Sequence, residues 1–487
     1  MPINQKFSRR SVSTSAVLLA ATIAGNQFGQ PMSAKQSTRS DSTPPTSTPF
    51  EEVLGWLTTR ASELEVPGGA IGVVHGNEEF HAGFGIANVV TGTNFMPDTS
   101  FEIASLSKIF TASVLAQLLD EGKIALDDPI KSILPDFSLA DLEATEMVTI
   151  RHLLAHSGGW EDPMEIEAGQ ESLEGFPAGM QDLTQVAPPG SHFSYSNSGY
   201  IVAGSVIEKV VGKPFPEVVS ERVLYPLGMN DSSYSADATD TEKHAVGHDS
   251  DGDQLIVVEA SEYPASADPS AGVISTIDDM LKFVKAHAGI DSTSLDSSVV
   301  ASMAQPLGTG GSVGPIVVEN VAYGWMVFNV DGETVLMSQG GDAGRMSTMI
   351  AVPSRKFGMA YFANSESALL LGQELVTECL SKFLELSPAE SEPYTLTPDE
   401  ADTAIGRFGL ADWMTFEIKP GDSTLVLDTS AGGESIPDLS GELTLVSPTS
   451  GFLSHPGGNV WIDLVPDETG RVQWLRFAGR LVPRINS

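Results

Sequence analysis

The chain has 487 residues, a length that accommodates two or three domains. It sets 26 lysines and arginines against 64 aspartates and glutamates, and the resulting net charge of -38 repels nucleic acid and anionic membrane surfaces. Hydrophobic residues make up 41%, enough for a sizeable core, but they form no uninterrupted run of the roughly 20 residues that a membrane span requires.

At the start of the chain, Ser8-Arg9-Arg10-Ser11-Val12 precedes a mild apolar run over residues 16–25. This order is that of a twin-arginine export signal, here residues 1–34, and it predicts export to the periplasm, cell surface or medium with no integral span once the signal is removed. Residues 35–49, rich in Ser, Thr and Pro, read as a linker. The excess of acid over base is what a halophilic host favours, because at about 1 M salt the Debye length falls to roughly 3 Å and self-repulsion is screened. A lone cysteine, Cys379, excludes an internal disulfide. Its place in the apolar helical pattern of residues 374–386 predicts a buried thiol.

Helical spacing of Val53, Leu54, Leu57, Ala61 and Leu64 predicts a helix over residues 50–65, ended by Pro67-Gly68-Gly69. Two strands follow, 70–75 and 79–84, joined by a Gly76-Asn77 turn. Helices are expected at 108–120 and 199–211, then strands at 334–338, 346–352 and 358–363. Strands at both ends with helices between them predict one α+β domain over 50–388, its sheet completed by distant parts of the chain. Beyond residue 393, short alternating segments at 416–419, 424–427, 442–446, 460–465 and 472–477 are separated by turns such as Pro420-Gly421 and Thr469-Gly470. They predict a second, all-β domain over 393–487, a barrel or sandwich.

Two elements bear chemistry. In Ala104-Ser105-Leu106-Ser107-Lys108, the spacing i, i+3 puts Ser105 and Lys108 on one helical face, and the first turn of a helix favours developing negative charge. Serine becomes a nucleophile beside a base, and burial that lowers a lysine's pKa makes it one. A serine-rich chain shows such a spacing about once by chance, so this element alone is weak. The other lies in Ser194-Tyr195-Ser196-Asn197-Ser198-Gly199-Tyr200, a turn-rich loop ahead of a helix, where Tyr195 could relay a proton and Asn197 bind a carbonyl. By itself it reads equally as a packed loop.

In order and context the two elements resemble the serine β-lactamase and penicillin-binding-protein superfamily, in particular its class C-like esterase and D-peptidase branch, for which Ser-x-x-Lys is a signature. The resemblance runs from about residue 67 to 364. It includes Pro67-Gly68-Gly69-Ala70, Leu153-Leu154-Ala155-His156-Ser157-Gly158-Gly159, Pro226-Leu227-Gly228-Met229 and Tyr323-Gly324-Trp325. It implies a sheet flanked by helices facing a helical subdomain, a lipocalin-like β domain at the C-terminus, Ser105 as nucleophile, Lys108 and Tyr195 as proton-handling pair, and no cofactor or metal. The expected partner is a small-molecule or peptide substrate.

One departure bears on substrate. The family's third motif, Lys-Thr-Gly or His-x-Gly, has lost its basic residue: the matching place reads Gln339-Gly340-Gly341-Asp342. Gln339 carries no charge and Asp342 repels a carboxylate, whereas Gly340-Gly341 leaves room for substrate backbone and the Asp342 N–H is placed to join that of Ser105 in an oxyanion hole. Arg345 is the nearest cation in sequence. Esters or neutral amides are therefore expected before penicillins. D-aminopeptidase, DD-carboxypeptidase or β-lactamase action on the same fold is the first alternative, and an inactive binding homologue the second. His156 is read as a core or turn residue, and Asp249-Ser250-Asp251-Gly252-Asp253 as a solvated turn rather than a calcium loop.

Overall fold

A computed structural model of the chain describes residues 48–485, apart from 163–171, 235–242, 252–253, 260–262, 291–294, 314–315, 389–391, 411–413, 422–423, 432–438 and 456–457. The predicted signal and nearly all of the predicted linker lie outside the described residues, as do two residues of the acidic turn.

Helix α1 (Pro49–Glu63) opens the fold. Thr48 and Glu51 form a reciprocal capping box and Pro49 occupies the first turn, which satisfies or removes donors that would otherwise be orphaned. Val53, Leu57 and Ala61, four residues apart, make its buried stripe. The chain then forms β1 (Gly68–His75) and β2 (Glu78–Asn88), returning much later with β3 (Met326–Val330), β4 (Glu333–Asp342), β5 (Arg345–Val352) and β6 (Phe357–Ala363). These strands run in the order β2-β1-β6-β5-β4-β3 within a nine-stranded antiparallel sheet, whose edges carry the two-residue strands Thr93–Asn94, Asn320–Val321 and Gly308–Thr309. Gly69 pairs with Ala363 and His75 with Phe357, so the two ends of the domain close one sheet, as the sequence pattern implies.

One face of the sheet packs on α1 and α5 (Ala368–Leu384), in a core of residues such as Ile71, Val73, Met359, Tyr361, Leu375 and Cys379. The other face packs on the helices between β2 and β3: α2 (Ser107–Asp120), α3 (Asn197–Val211) and α4 (Ile277–His287). Helix α2 is buried on nearly every side, from Ser107 to Ala116, which marks it as the centre of the helical layer. Cys379 is buried, and burial raises its thiol pKa.

The C-terminal region is a closed eight-stranded barrel, from β7 (Gly406–Leu410) and β8 (Met414–Pro420) through Leu425–Ala431, Gly441–Ser447, Ser450–His455 and Gly458–Pro466 (β9 to β12) to β13 (Val472–Phe477) and β14 (Arg480–Ile485). Phe408 pairs with Arg484 to close it. The sequence pattern predicts five of these strands and leaves barrel and sandwich open. The first strand, 450–455 and the last have weaker alternation, and closure depends on them.

The barrel docks on the α+β domain through the β13–β14 hairpin. Trp474 Nε1 donates to Val186 O (2.7 Å), Arg476 Nε to Phe193 O (3.1 Å), Leu481 N to Ser194 Oγ (3.1 Å), and Tyr195 N to Gly479 O (2.9 Å). No helix among the described residues is long and apolar enough to cross a membrane.

Candidate active site

Ser105 lies in a 3-10 turn, Ala104–Leu106, that leads directly into α2, at the helix opening where the sequence pattern puts it. Ala104 holds a left-handed backbone, φ +47°, an unfavourable conformation for a residue with a Cβ and one that surrounding contacts must enforce. Strands β4 and β5 supply such contacts. Gly340 approaches so closely that a Cβ on it would lie 2.2 Å from Ile103 O and 2.9 Å from Ser105 N, and Ser347 Oγ donates to Ile103 O (2.8 Å).

One helical turn on, Lys108 is almost wholly buried, 2% exposed. Its Nζ lies 3.1 Å from Ser105 Oγ, 2.8 Å from Asn197 Oδ1 and 2.9 Å from Ser270 O, so a neutral amine can donate its two N–H groups to the Asn197 and Ser270 oxygens and turn its lone pair to the Ser105 hydroxyl. It also sits 5.0 Å from the centroid of the Tyr195 ring. Burial lowers the Lys108 pKa; interaction with Tyr195 and the Asp162 carboxylate oppose the shift, and the Arg480 charge adds to it. Ser105, Tyr195 and Asn197 are partly exposed above this buried amine. A hydroxyl, an amine, a phenol and an amide from two separate stretches of chain, residues 105–108 and 195–197, thus meet at a surface that solvent reaches.

The Tyr195–Asn197 turn is held by residues the sequence pattern does not single out. Asp162, 3% exposed, accepts from Asn197 N (2.8 Å, Oδ2), Ser198 N (3.0 Å, Oδ1), Ser196 Oγ (3.0 Å, Oδ1) and Ser198 Oγ (2.5 Å, Oδ1). The carboxylate satisfies orphaned donors in the first turn of α3, where the helix dipole also favours negative charge. Ser196 caps the same helix by accepting from Gly199 N. His156 fits the role of a core and turn residue: it is buried, its Nδ1 accepts from Ser196 N (3.0 Å), and its ring stacks on Tyr195 at 4.5 Å. Burial first, then the charges of Lys108 and Arg480, lower its pKa well below the ordinary value, so it is a neutral ring.

Arg480, at the start of β14, reaches in from the barrel. Its guanidinium carbon lies 5.2 Å from the centroid of the Tyr195 ring, and Nη2 is 3.4 Å from Asp162 Oδ2.

The third-motif residues separate. Gly340 meets Ser105, as above. Gln339 takes the opposite face of β4 by strand alternation, and its Nε2 lies 3.4 Å from Thr348 Oγ1. Gly341 pairs with Met346 in the ladder, and Asp342 accepts from the Tyr263 hydroxyl (2.8 Å). Arg345 is 3% exposed and faces Glu102 at 3.0 Å, with Nη1 donating to Ala343 O; it is a buried structural cation. Segments 247–251 and 254–258 pair as an antiparallel hairpin, with the intervening residues outside the described set. Among the described residues no cluster of His, Cys, Asp and Glu is arranged to hold a metal.

Comparison with known proteins agrees with the fold. The Beta-lactamase family model matches residues 53–373, and the chain belongs to that family of serine hydrolases. It is 26% identical over 355 residues to penicillin-binding protein 4 of Amycolatopsis lactamdurans, covering 69% of this chain and 93% of that one. It is 34% identical over 206 residues to the unguisins hydrolase ungD' of Aspergillus campestris, covering 40% and 37%. Among solved structures, SurE superposes with a TM-score of 0.73 at 22% identity over 90% of this chain and 99% of that one, thus including the barrel. A class C β-lactamase from Rhodobacter sphaeroides superposes with a TM-score of 0.57 at 20% identity, covering 67% of this chain and 99% of its own.

Proposed function

We propose that the protein is an exported serine hydrolase that cleaves an ester or amide through an acyl-enzyme on Ser105. The observation that carries the reading is the contact of the buried Lys108 amine with Ser105 Oγ at 3.1 Å, beside the Tyr195 ring. Neutral Lys108 accepts the Ser105 hydroxyl proton as Oγ bonds to the carbonyl carbon, and the carbonyl π pair moves to oxygen. The N–H groups of Ser105 and Asp342 hold that oxyanion. Collapse expels the alkoxide or amine, which takes the proton through Tyr195 and Lys108. Water then attacks the acyl-enzyme, gives a proton to the same pair, and releases an acid as Ser105 regains its hydrogen. Asn197, bonded to Lys108, orients the amine and faces the substrate carbonyl.

Esters and neutral amides suit the site better than penicillins, because Gln339 turns towards Thr348 and Arg345 is engaged with Glu102. Peptides with D-residues are the second reading; a SurE structure is described with D-Leu, and a relative is named as a hydrolase of unguisins. Export rests on Arg9-Arg10 and the apolar run after them.

Intact mass spectrometry after treatment with a fluorophosphonate tests the mechanism. One adduct, mapped to Ser105 and lost in Ser105→Ala, is expected; a wild-type protein that stays unlabelled refutes it. Parallel panels of simple esters, D-amino-acid peptides and β-lactams then decide the substrate class. Replacing Arg9 and Arg10 by lysine is expected to abolish export.

A further inference from the structure

The buried Asp162 carboxylate creates a conflict. It builds the turn that presents Tyr195 and Asn197, yet its negative charge favours the protonated form of Lys108, which is useless as a base. Only a cation close to Asp162 relieves this without dismantling the turn. Among the described residues the catalytic domain does not provide it: the bonds to Asp162 from its own domain come from backbone N–H groups and serine hydroxyls. The barrel does, through Arg480.

We infer that Arg480, supplied by the C-terminal barrel, is a positioning residue of the catalytic site, which neutralises Asp162 and fixes the Tyr195 ring so that Lys108 can work as a base. The inference rests on the Ser105 mechanism proposed above and gives the barrel a part in it. Three observations converge. Arg480 Nη2 lies 3.4 Å from Asp162 Oδ2, with the two side chains 12% and 1% exposed. The guanidinium stands over the Tyr195 ring on one side while His156 stacks on that ring at 4.5 Å. The hairpin that carries it is tied to the same residue, since Tyr195 N donates to Gly479 O; Gly479, at φ +74°, has the left-handed backbone glycine tolerates, and a Cβ there would come within 3.3 Å of Tyr195 Cβ. The guanidinium therefore reaches Asp162 and Tyr195 together, from a hairpin whose approach a larger residue would obstruct.

The groups that face Lys108 are Ser105 from its own turn, the Ser270 carbonyl, Tyr195, Asn197 and Tyr200 from the loop and α3, neutral His156 and charged Asp162 from the preceding segment, and Arg480 from the barrel. Of these only Asp162 and Arg480 carry opposite fixed charges, so removing Arg480 leaves Asp162 uncompensated. The amine then holds its proton to higher pH.

The test uses the full chain and three variants, Arg480→Gln, Arg480→Lys and Ser105→Ala, with the rate of fluorophosphonate labelling followed from pH 5 to 10. Gln keeps an amide donor for Asp162 without charge; Lys keeps the charge without the planar fork. For Arg480→Gln the rising limb is expected to move up by about one pH unit, a roughly tenfold loss of labelling rate on that limb. Arg480→Lys is expected to keep the limb within about a third of that displacement. Thermal melts and near-ultraviolet circular dichroism establish that each variant is folded. A purely structural arginine would lower the rate equally at every pH, and an unmoved limb in folded Arg480→Gln overturns the inference. Wild-type label that is absent, or that persists in Ser105→Ala, instead overturns the underlying mechanism.

Discussion

Replacing Asp162 by asparagine keeps the side chain's shape and removes its charge, so the outcome can be worked from its contacts. Oδ1 accepts from Ser198 N and from the hydroxyls of Ser196 and Ser198; Oδ2 accepts from Asn197 N and faces Arg480. The asparagine amide must put its NH2 group at one position. At Oδ2 it would oppose two donors that cannot reverse, so it settles at Oδ1, where both hydroxyls rotate to accept and only Ser198 N loses its partner. One buried N–H without an acceptor costs about 1–3 kcal/mol. Loss of the Arg480 pairing adds to that; breaking a buried ion pair costs about 3–5 kcal/mol, reduced here because 3.4 Å is a loose contact and Arg480 is 12% exposed. The sum is about 3–5 kcal/mol, or a fall in Tm of roughly 10 °C at the 2–4 °C per kcal/mol of domains this large. Differential scanning calorimetry of the two proteins measures it, and labelling of Ser105 should slow by at least about tenfold as the Tyr195 turn loosens. If Asp162→Asn melts within 2 °C of wild type and labels at the same rate, the claim that Asp162 builds the site is wrong.

Three further outcomes follow from the same geometry. Gly340→Ala places a methyl against Ile103 O and Ser105 N, which are backbone atoms and cannot swing aside; labelling should fall by about a hundredfold and stability by about 1–3 kcal/mol, read by intact mass and urea denaturation. Burial raises the Asp268 pKa from 3.8 to about 7, so the folded state binds its proton more tightly than the unfolded chain does. Its protonated form is the stable one, no penalty applies below about pH 4, and stability is lost as pH rises towards 7, by about 2–4 kcal/mol above it. Asp268→Asn should therefore raise the Tm at pH 8 and leave it unchanged at pH 4. Finally, with a net charge of -38, ester hydrolysis is expected to rise between 0.1 and 3 M salt, because screening weakens the field that holds Lys108 protonated; a flat profile rejects that account.

What could be read from the sequence follows the range of the interactions involved. Ser105 and Lys108 are three residues apart, so helical spacing alone predicts their contact, and the Nζ–Oγ distance of 3.1 Å agrees. Tyr195 and Asn197 enter through resemblance, since nothing local relates them to residue 108. The α+β domain with a sheet shared between its ends is visible in the placement of the strand patterns, although β4 runs on to Asp342, past the predicted end at 338, because Gly340 and Gly341 pair in the ladder without side chains to signal it. Asp162 and Arg480 were not legible. Each is an isolated charge in a strongly acidic chain, and their meeting depends on how a barrel more than 300 residues on comes to rest. Gln339 is placed beside the serine by its position in the third motif, but strand alternation turns it away towards Thr348. Arg345, the nearest cation in sequence, is instead buried against Glu102.

The sheet's strand order also bears on how the chain acquires its structure. β1 lies between β2 and β6, so half of its ladder has no partner until Phe357–Ala363 has been synthesised. Until then the apolar side chains of β1 have neither their neighbouring strand nor the helix α5 that covers them. Pairings so remote along the chain form slowly, and an incomplete sheet with an open edge is prone to self-association. The protein should therefore refold reluctantly from denaturant and depend on dilution or chaperones, and a fragment ending before β6 should aggregate, whatever the merits of its catalytic residues.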